Sequence, residues 1–432
     1  MKILILCNDF PPLNSIGAQR PWYWYKYLSK LGIDPVVITK NWKGHSSTRE
    51  DIVRNVGDQR EIIEHHDEGV IVRAPILLTP SEKMLLKYGT ESHVFRRRIL
   101  TVFNKIFSFV SINFDSHKSI YKAADNYLKA NKVDAILATG EPFVLFRQAN
   151  LLSKKYKIPW VADYRDGWYL NYVTRQQKGI LSKGLREFEK LIEKRVIKNV
   201  HSIISVDPIL ANALGKMHNK PFEIIYNGFE SFHPALESPS ANLPLILTHS
   251  GTLTTGQRAE VLLQAVRELL EECKISKDEI CLKWIGLEYF PDQLKRIRSY
   301  EGIPSVCIHT TPRLSRQDVV RINQDSDYLL IFSDKKFKWI SAKAFEYIAC
   351  KRPILLMPDD YSIMASFIKK LNAGIVLDDI ETIKLFLVKA IEKKRKKSGI
   401  IQSELSETEA VRFTRYEQTK KLADYLIKHL HN

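Results

Sequence analysis

The chain has no apolar run approaching the ~18–20 residues that a membrane-spanning helix needs. Its opening, MKILILC, carries five apolar residues in a row and then turns polar at Asn8 and Asp9, which reads as a buried first strand and not as a signal peptide. Cysteine is scarce. The five residues Cys7, Cys273, Cys281, Cys307 and Cys350 are odd in number and widely spread, and no pair has metal-ligand spacing. A disulfide framework is therefore disfavoured, and a reducing, cytoplasmic setting is expected. No G-x-G-x-x-G follows the first strand, which disfavours a dinucleotide cofactor. No H-E-x-x-H, zinc-finger spacing or basic heptad is present, and no G-x-S-x-G elbow that could seat a Ser-His-Asp triad. Acidic residues are outnumbered, 49 Asp and Glu against 66 Lys and Arg, for a net charge of +17. That balance suits an anionic partner. Without a nucleic-acid motif the expectation is no nucleic acid, leaving phosphorylated substrates, an anionic membrane surface, or simply a basic exterior.

What is present is regular. The 432 residues, 44% hydrophobic and 10% aromatic, suffice for two or three globular domains. Lys2 to Cys7 reads as a strand, Asn8 to Gln19 as a loop with two prolines and a glycine, Arg20 to Leu31 as a helix, and Pro35 to Thr39 as a strand. That is a Rossmann-type opening without its fingerprint. Lys43 to Asp67 reads as polar and irregular. Further strands are expected at Val70–Ala74, Val133–Thr139, Pro159–Ala162, Ser202–Val206 and Phe222–Tyr226. Ser231 to Pro244, rich in Pro, Ser and Ala, reads as a linker. A second strand–glycine-loop–helix opening follows: Leu245–Ser250, Gly251, then a helix from Ala259. Strands at Cys281–Gly286, Val306–His309 and Tyr328–Phe332 alternate with helices, which predicts a second doubly wound parallel sheet.

The most informative stretch is Lys338 to Leu356, KWISAKAFEYIACKRPILL. Ser341 predicts an N-cap for a helix over Ala342–Ala349. Lys343 and Glu346, three apart, share one side of that helix. A helix N-terminus favours anions, Lys343 adds a full positive charge, and Glu346 is an acceptor suited to vicinal ribose hydroxyls. Phosphate at the helix start and ribose on its side describe a nucleotide-diphosphate site. The alternative is an amphipathic helix with Phe345 and Ile348 as core and Glu346 in solvent.

This segment resembles the K-x-F-E-Y-x-A-x-x-x-P-I-L donor signature of the "group 1" (family 4-like) retaining glycosyltransferases, which have the GT-B fold. Other segments are similar to motifs of that family. Gly17 and Arg20 match a P-P-x-x-G-G-x-x-R loop, although Ser15, Ile16 and Gly17 stand in place of its double glycine. Asp163, Arg165, Asp166 and Trp168 match D-x-R-D-x-W, and Asn227–Glu230 resembles an N-G-x-D turn with Glu for Asp. The resemblance implies α/β architecture: two Rossmann-like doubly wound domains facing a central cleft. These would be an N-terminal acceptor-side domain over residues 1–235, a nucleotide-sugar domain over 244–411, and a C-terminal helix, 412–432, packing back on the first domain. It implies catalytic roles for Asp163, Arg165 and Asp166, through acceptor contact and support of the reacting sugar. It implies donor binding by Gly17, Arg20, Gly251, Arg258, Arg313, Lys343 and Glu346. Structural alternatives stay open for Gly17, as an ordinary turn, and for Asp163–Asp166, as a salt-bridged loop.

The family's activity would be transfer of a sugar, with retention, from a nucleotide-diphosphate sugar to an acceptor. No cofactor and no metal are expected: Asp325-Ser-Asp327 imitates a metal-binding D-x-D but precedes a buried strand. His249 either donates to a phosphate or packs, and packing is the preferred reading. A lipid-linked glycan acceptor of bacterial surface polysaccharide assembly, at the inner face of the cell membrane, would suit the basic charge. The stretch Glu82–Phe114 interleaves Arg96, Arg97, Arg98 and Lys105 with Phe95, Phe103, Phe107 and Phe109. It reads equally as a membrane-surface helix or as a core helix with a solvated basic face. One departure matters. Many family members carry a second glutamate where this chain has Lys338, so donor identity does not carry over. A nucleotide-sugar 2-epimerase of the same architecture and a catalytically silent binding subunit remain as rivals.

Overall fold

The computed structural model describes residues 1–13, 15–44, 60–171, 180–234, 242–334, 338–396 and 403–430. Much of the expected linker, residues 235–241, and the middle of the expected irregular stretch, residues 45–59, lie outside the described residues. The chain divides into two units, Met1–Tyr226 with Tyr416–Asn432, and Asn227–Arg415.

The first unit is built on an eight-stranded sheet. Its strands are β1 (Lys2–Leu6), β2 (Asp34–Lys40), β3 (Ile62–His66), β4 (Gly69–Ala74), β5 (Ala135–Gly140), β6 (Trp160–Tyr164), β7 (Ser202–Ser205) and β8 (Phe222–Ile224). Their order is β3-β4-β2-β1-β5-β6-β7-β8, with every pairing parallel except β3 to β4. The apolar run in β1 follows from burial on both faces. Leu4 and Leu6 enter one core with helices Lys118–Ala130 and Val144–Tyr156, while Ile3 and Ile5 enter the other with helices Ile16–Leu28 and Arg415–Leu430.

The second unit has a six-stranded, wholly parallel sheet. Its strands are β9 (Leu245–Ser250), β10 (Ile280–Ile285), β11 (Ile308–Thr310), β12 (Tyr328–Phe332), β13 (Ile354–Met357) and β14 (Gly374–Val376), in the order β11-β10-β9-β12-β13-β14. Helices such as Glu260–Glu271 and Ile380–Arg395 close its main core. The unit begins upstream of residue 235 because Phe229 is tied to the segment before the last helix. Its N–H donates to Phe413 O at 3.1 Å, and Arg415 N–H donates back to Phe229 O at 2.6 Å.

Three local readings differ from expectation. The first helix begins at Ile16, not near Arg20, because the Ser15 side chain accepts from Ala18 N–H and caps it; Pro21 then lies inside the helix. The stretch expected to be irregular contains β3, an edge strand whose Glu64, His65 and His66 hide its period of two. Glu82–Phe114 is not one element but two helices, Pro80–Tyr88 and Val94–Val110, with Gly89 at φ +80° ending the first.

Candidate functional site

In both units the proposed chemistry falls at the carboxyl ends of parallel strands, where open α/β sheets bind ligands. In the second unit the helix Ala342–Ala349 forms as its sequence predicts. Ser341 has extended backbone and its side chain caps Lys343 N–H, while Ala344, Phe345, Tyr347, Ile348 and Ala349 are buried. This leaves Lys343 and Glu346 on the less buried side. The Lys343 ammonium lies 2.9 Å from His249 Nε2 and also donates to Thr252 O. Burial holds Lys343 down to about 7, opposed only by the charge of Glu346. Glu346 is pushed up by desolvation, with Arg316, Arg415 and Lys343 opposing. Neither side chain makes a salt bridge among the described residues. Glu346 also accepts no hydrogen bond there, and it lines a small pocket with His233, Arg316, Asn323 and Arg415.

Gly251 closes β9 with φ +89°, a conformation that favours glycine, and a Cβ there would stand 3.4 Å from Lys343 Cε. Arg258 is exposed, and its N–H donates to Ser333 O at the end of β12. Arg313 is exposed too, its guanidinium 3.6 Å from the ring centroid of Tyr289. The structure thus joins Gly251, Lys343 and Glu346 closely and places Arg258 and Arg313 on neighbouring loops. Lys338, at the position of the family's second glutamate, donates to Asp360 O. Asp327 is 1% exposed, 2.5 Å from Lys394, and accepts from Ile246 N–H, so its carboxylate is a structural anchor.

In the first unit the expected site residues fall into two groups, one buried and one at the strand ends. Asp163 is fully buried, and its carboxylate takes Arg20 Nε and Nη2 at 2.9–3.1 Å and Thr139 Oγ1 at 2.7 Å. Arg20 spends its remaining nitrogen on Ile225 O and Tyr226 O. This pair clamps β6 to the first helix and to the end of β8. Both side chains, expected from the sequence to serve catalysis (Asp163) and donor binding (Arg20), are buried and held by protein partners. Arg165 instead reaches over the end of β5, donating to Gly140 O at 2.6 Å and Glu141 O at 2.8 Å. A Cβ on Gly17 would come within 2.3 Å of Arg165 Nη1 and 2.5 Å of Asp9 Oδ2. Gly17 therefore makes room for that guanidinium and for Asp9. Asp166 reaches the surface, yet desolvation pushes its carboxyl up against the pull of Arg165. Glu141 is raised by desolvation and then by the Asp166 charge. Glu141 and Asp9 were not singled out from the sequence, though Glu141 follows β5 directly and Asp9 lies three residues past β1, positions that could have flagged both.

No family model matches the chain, and no curated protein matches it in sequence. Solved structures do match. HepE of Anabaena in complex with UDP and glucose superposes with a TM-score of 0.59 at 10% identity, covering 99% of this chain and 100% of that one. A glycosyltransferase of Rickettsia africae gives 0.57 at 14% identity, covering 100% and 99%. Trehalose-6-phosphate synthase, OtsA, gives 0.60 at 11% identity, covering 100% and 99%. The chain has the GT-B fold. At such identities the likeness is one of fold, with two Rossmann-like parallel-sheet domains as the resemblance implied, and the residues of this chain must carry the chemistry.

Proposed function

We propose that this chain is a retaining, metal-independent glycosyltransferase that takes a sugar from a nucleotide-diphosphate donor. The observation that carries the reading is the pair on one side of helix Ala342–Ala349, a cation in no salt bridge and a carboxylate that accepts no hydrogen bond among the described residues. A half-buried ammonium in no salt bridge is completed by a diphosphate, and the carboxylate one turn on, which accepts no hydrogen bond among the described residues, by ribose hydroxyls. Arg258 adds charge from the loop after β9, and the Arg313–Tyr289 stack offers a flat face for a base. Stabilisation of the leaving diphosphate by these cations and a helix N-terminus supplies the main catalytic term. In the first unit Arg165, Glu141 and Asp166 meet the acceptor. Carboxyls raised by desolvation suit contact with a hydroxyl that must lose its proton.

The acceptor we propose is a lipid-linked glycan of bacterial surface polysaccharide assembly, met in the cytoplasm at the inner face of the membrane. Helix Val94–Val110 supports this. It buries only Ser108 and exposes Phe95, Ile99, Val102, Phe103 and Val110 beside Arg96 and Arg98. That pattern fits an interfacial helix better than a core helix. No helix among the described residues is long and apolar enough to cross a membrane. Incubation of the protein with a panel of nucleotide sugars, with and without membrane lipid extract, tests the reading. Transfer or slow donor hydrolysis supports it. Epimerised donor indicates the 2-epimerase, and tight binding without turnover indicates a silent subunit, to which Lys338 lends weight.

A further inference from the structure

His249, next to last in β9, is 1% exposed and packs among Trp284 and Phe332 with ring centroids 5.7 and 5.5 Å away. Its Nδ1 lies 3.0 Å from Leu330 O. A carbonyl only accepts, so Nδ1 carries the proton, and Nε2 is left with its lone pair. The Lys343 ammonium, 2.9 Å from Nε2, is then the donor of that contact. Thr252 O, 3.5 Å from Nε2, is too far to compete for a proton there. Two of the three ammonium N–H groups are thus held by two neutral acceptors, His249 Nε2 and Thr252 O, and the third has no acceptor among the described residues.

The choice of an imidazole has a consequence. Aspartate at this place would also orient Lys343, but it would form an ion pair and consume the charge. A neutral imidazole fixes the ammonium without neutralising it. We propose that His249 is a positioning residue that aims Lys343 at the diphosphate without pairing off the charge that the amine carries when protonated. This rests on the reading of the site given above. Burial and the Lys343 charge hold His249 down to about 3, so it stays neutral wherever the enzyme would work. Among the described residues the charged group acting on Lys343 is Glu346, on its own helix; the Gly251–Thr252 loop contributes a carbonyl.

The test uses three substitutions of His249 and one of Lys343 in the full chain, and two readouts: nuclear magnetic resonance titration of the Lys343 amine, and calorimetric binding of UDP, GDP and ADP. His249→Phe should lower the Lys343 midpoint and weaken the bound nucleotide about tenfold, the scale of one lost hydrogen bond to a charged group. His249→Asn, whose amide can donate to Leu330 O and accept from Lys343, should restore most of both. His249→Asp should raise the midpoint by neutralising the ammonium, and still lose affinity. A structural role alone would not produce opposite midpoint shifts in Phe and Asp variants of equal thermal stability. An unchanged Lys343 midpoint in folded Phe and Asp variants overturns the proposal even if no nucleotide is bound. If Lys343→Met weakens binding but His249→Phe does not, only the His249 role fails; if Lys343→Met changes nothing, the nucleotide reading fails with it.

Discussion

Replacing Lys343 by methionine keeps most of the aliphatic stem and removes the charge. A cation and a phosphate charge 4 Å apart attract by about 4 kcal/mol at an effective dielectric of about 20. Against this stands the cost of charging the amine. With its proton affinity held down to about 7, Lys343 is roughly half neutral at pH 7, and restoring the proton costs under ~1 kcal/mol there. The net loss in Lys343→Met is therefore about 3 kcal/mol, or about 10²-fold in donor affinity. The substitution also leaves His249 Nε2 unpaired, so a loss of about 1 kcal/mol in stability is expected and should be measured separately. A second signature comes from pH. The free amine loses its proton as pH rises through about 7, whereas the phosphate-bound amine keeps it, so binding takes up a proton above that pH. Affinity of the wild type for a nucleotide sugar should fall above pH 7 by up to about tenfold per unit, and the methionine variant should be flat. Calorimetry at pH 6, 7, 8 and 9 reads both effects. Equal affinity in the two proteins, or parallel pH profiles, would refute the reasoning.

Glu346→Ala should weaken nucleoside diphosphate binding by roughly 1.5–3 kcal/mol, the scale of a charged hydrogen bond, while an isolated phosphate ligand such as pyrophosphate should bind no worse. Asp163→Asn should destabilise the first unit by about 3–5 kcal/mol, because it strands Arg20 as an unpaired buried charge; an unchanged unfolding midpoint would restore Asp163 to the list of substrate contacts. Binding to anionic vesicles should exceed binding to neutral ones, weaken with salt, and fall in Phe95→Ser/Phe103→Ser; equal partitioning to both vesicle types would remove the membrane role of helix Val94–Val110. Turnover should survive excess chelator, and activity lost to chelator and regained with a divalent ion would end the metal-free mechanism.

The double fold was legible because both halves repeat one pattern, an apolar strand running into a glycine loop and a helix. The helix bearing Lys343 and Glu346 was legible because its cap, its apolar side and its following strand agree at every position. The failures have physical causes. The edge strand β3 carries polar side chains on an exposed surface, so periodicity could not mark it. The pairing of Arg20 with Asp163 joins residues 143 positions apart, and charge at a strand end looks the same in sequence whether it meets a substrate or a neighbour. Burial decides between them, and only the fold supplies it. The same holds for His249. Its place before Gly251 was visible, but its contact with Lys343 spans 94 positions and needs β9 and the helix side by side.

The claim on which the account turns is that helix Ala342–Ala349 grips a nucleotide diphosphate by Lys343 and Glu346. The most direct measurement is calorimetric titration of the wild type and of Lys343→Met/Glu346→Gln with UDP, GDP and ADP. The account predicts that at least one of the three binds the wild type and that the double variant loses that binding by 10²-fold or more, the scale set by the lost charge alone. Binding of none of them to the wild type, or equal binding to both proteins, would contradict it.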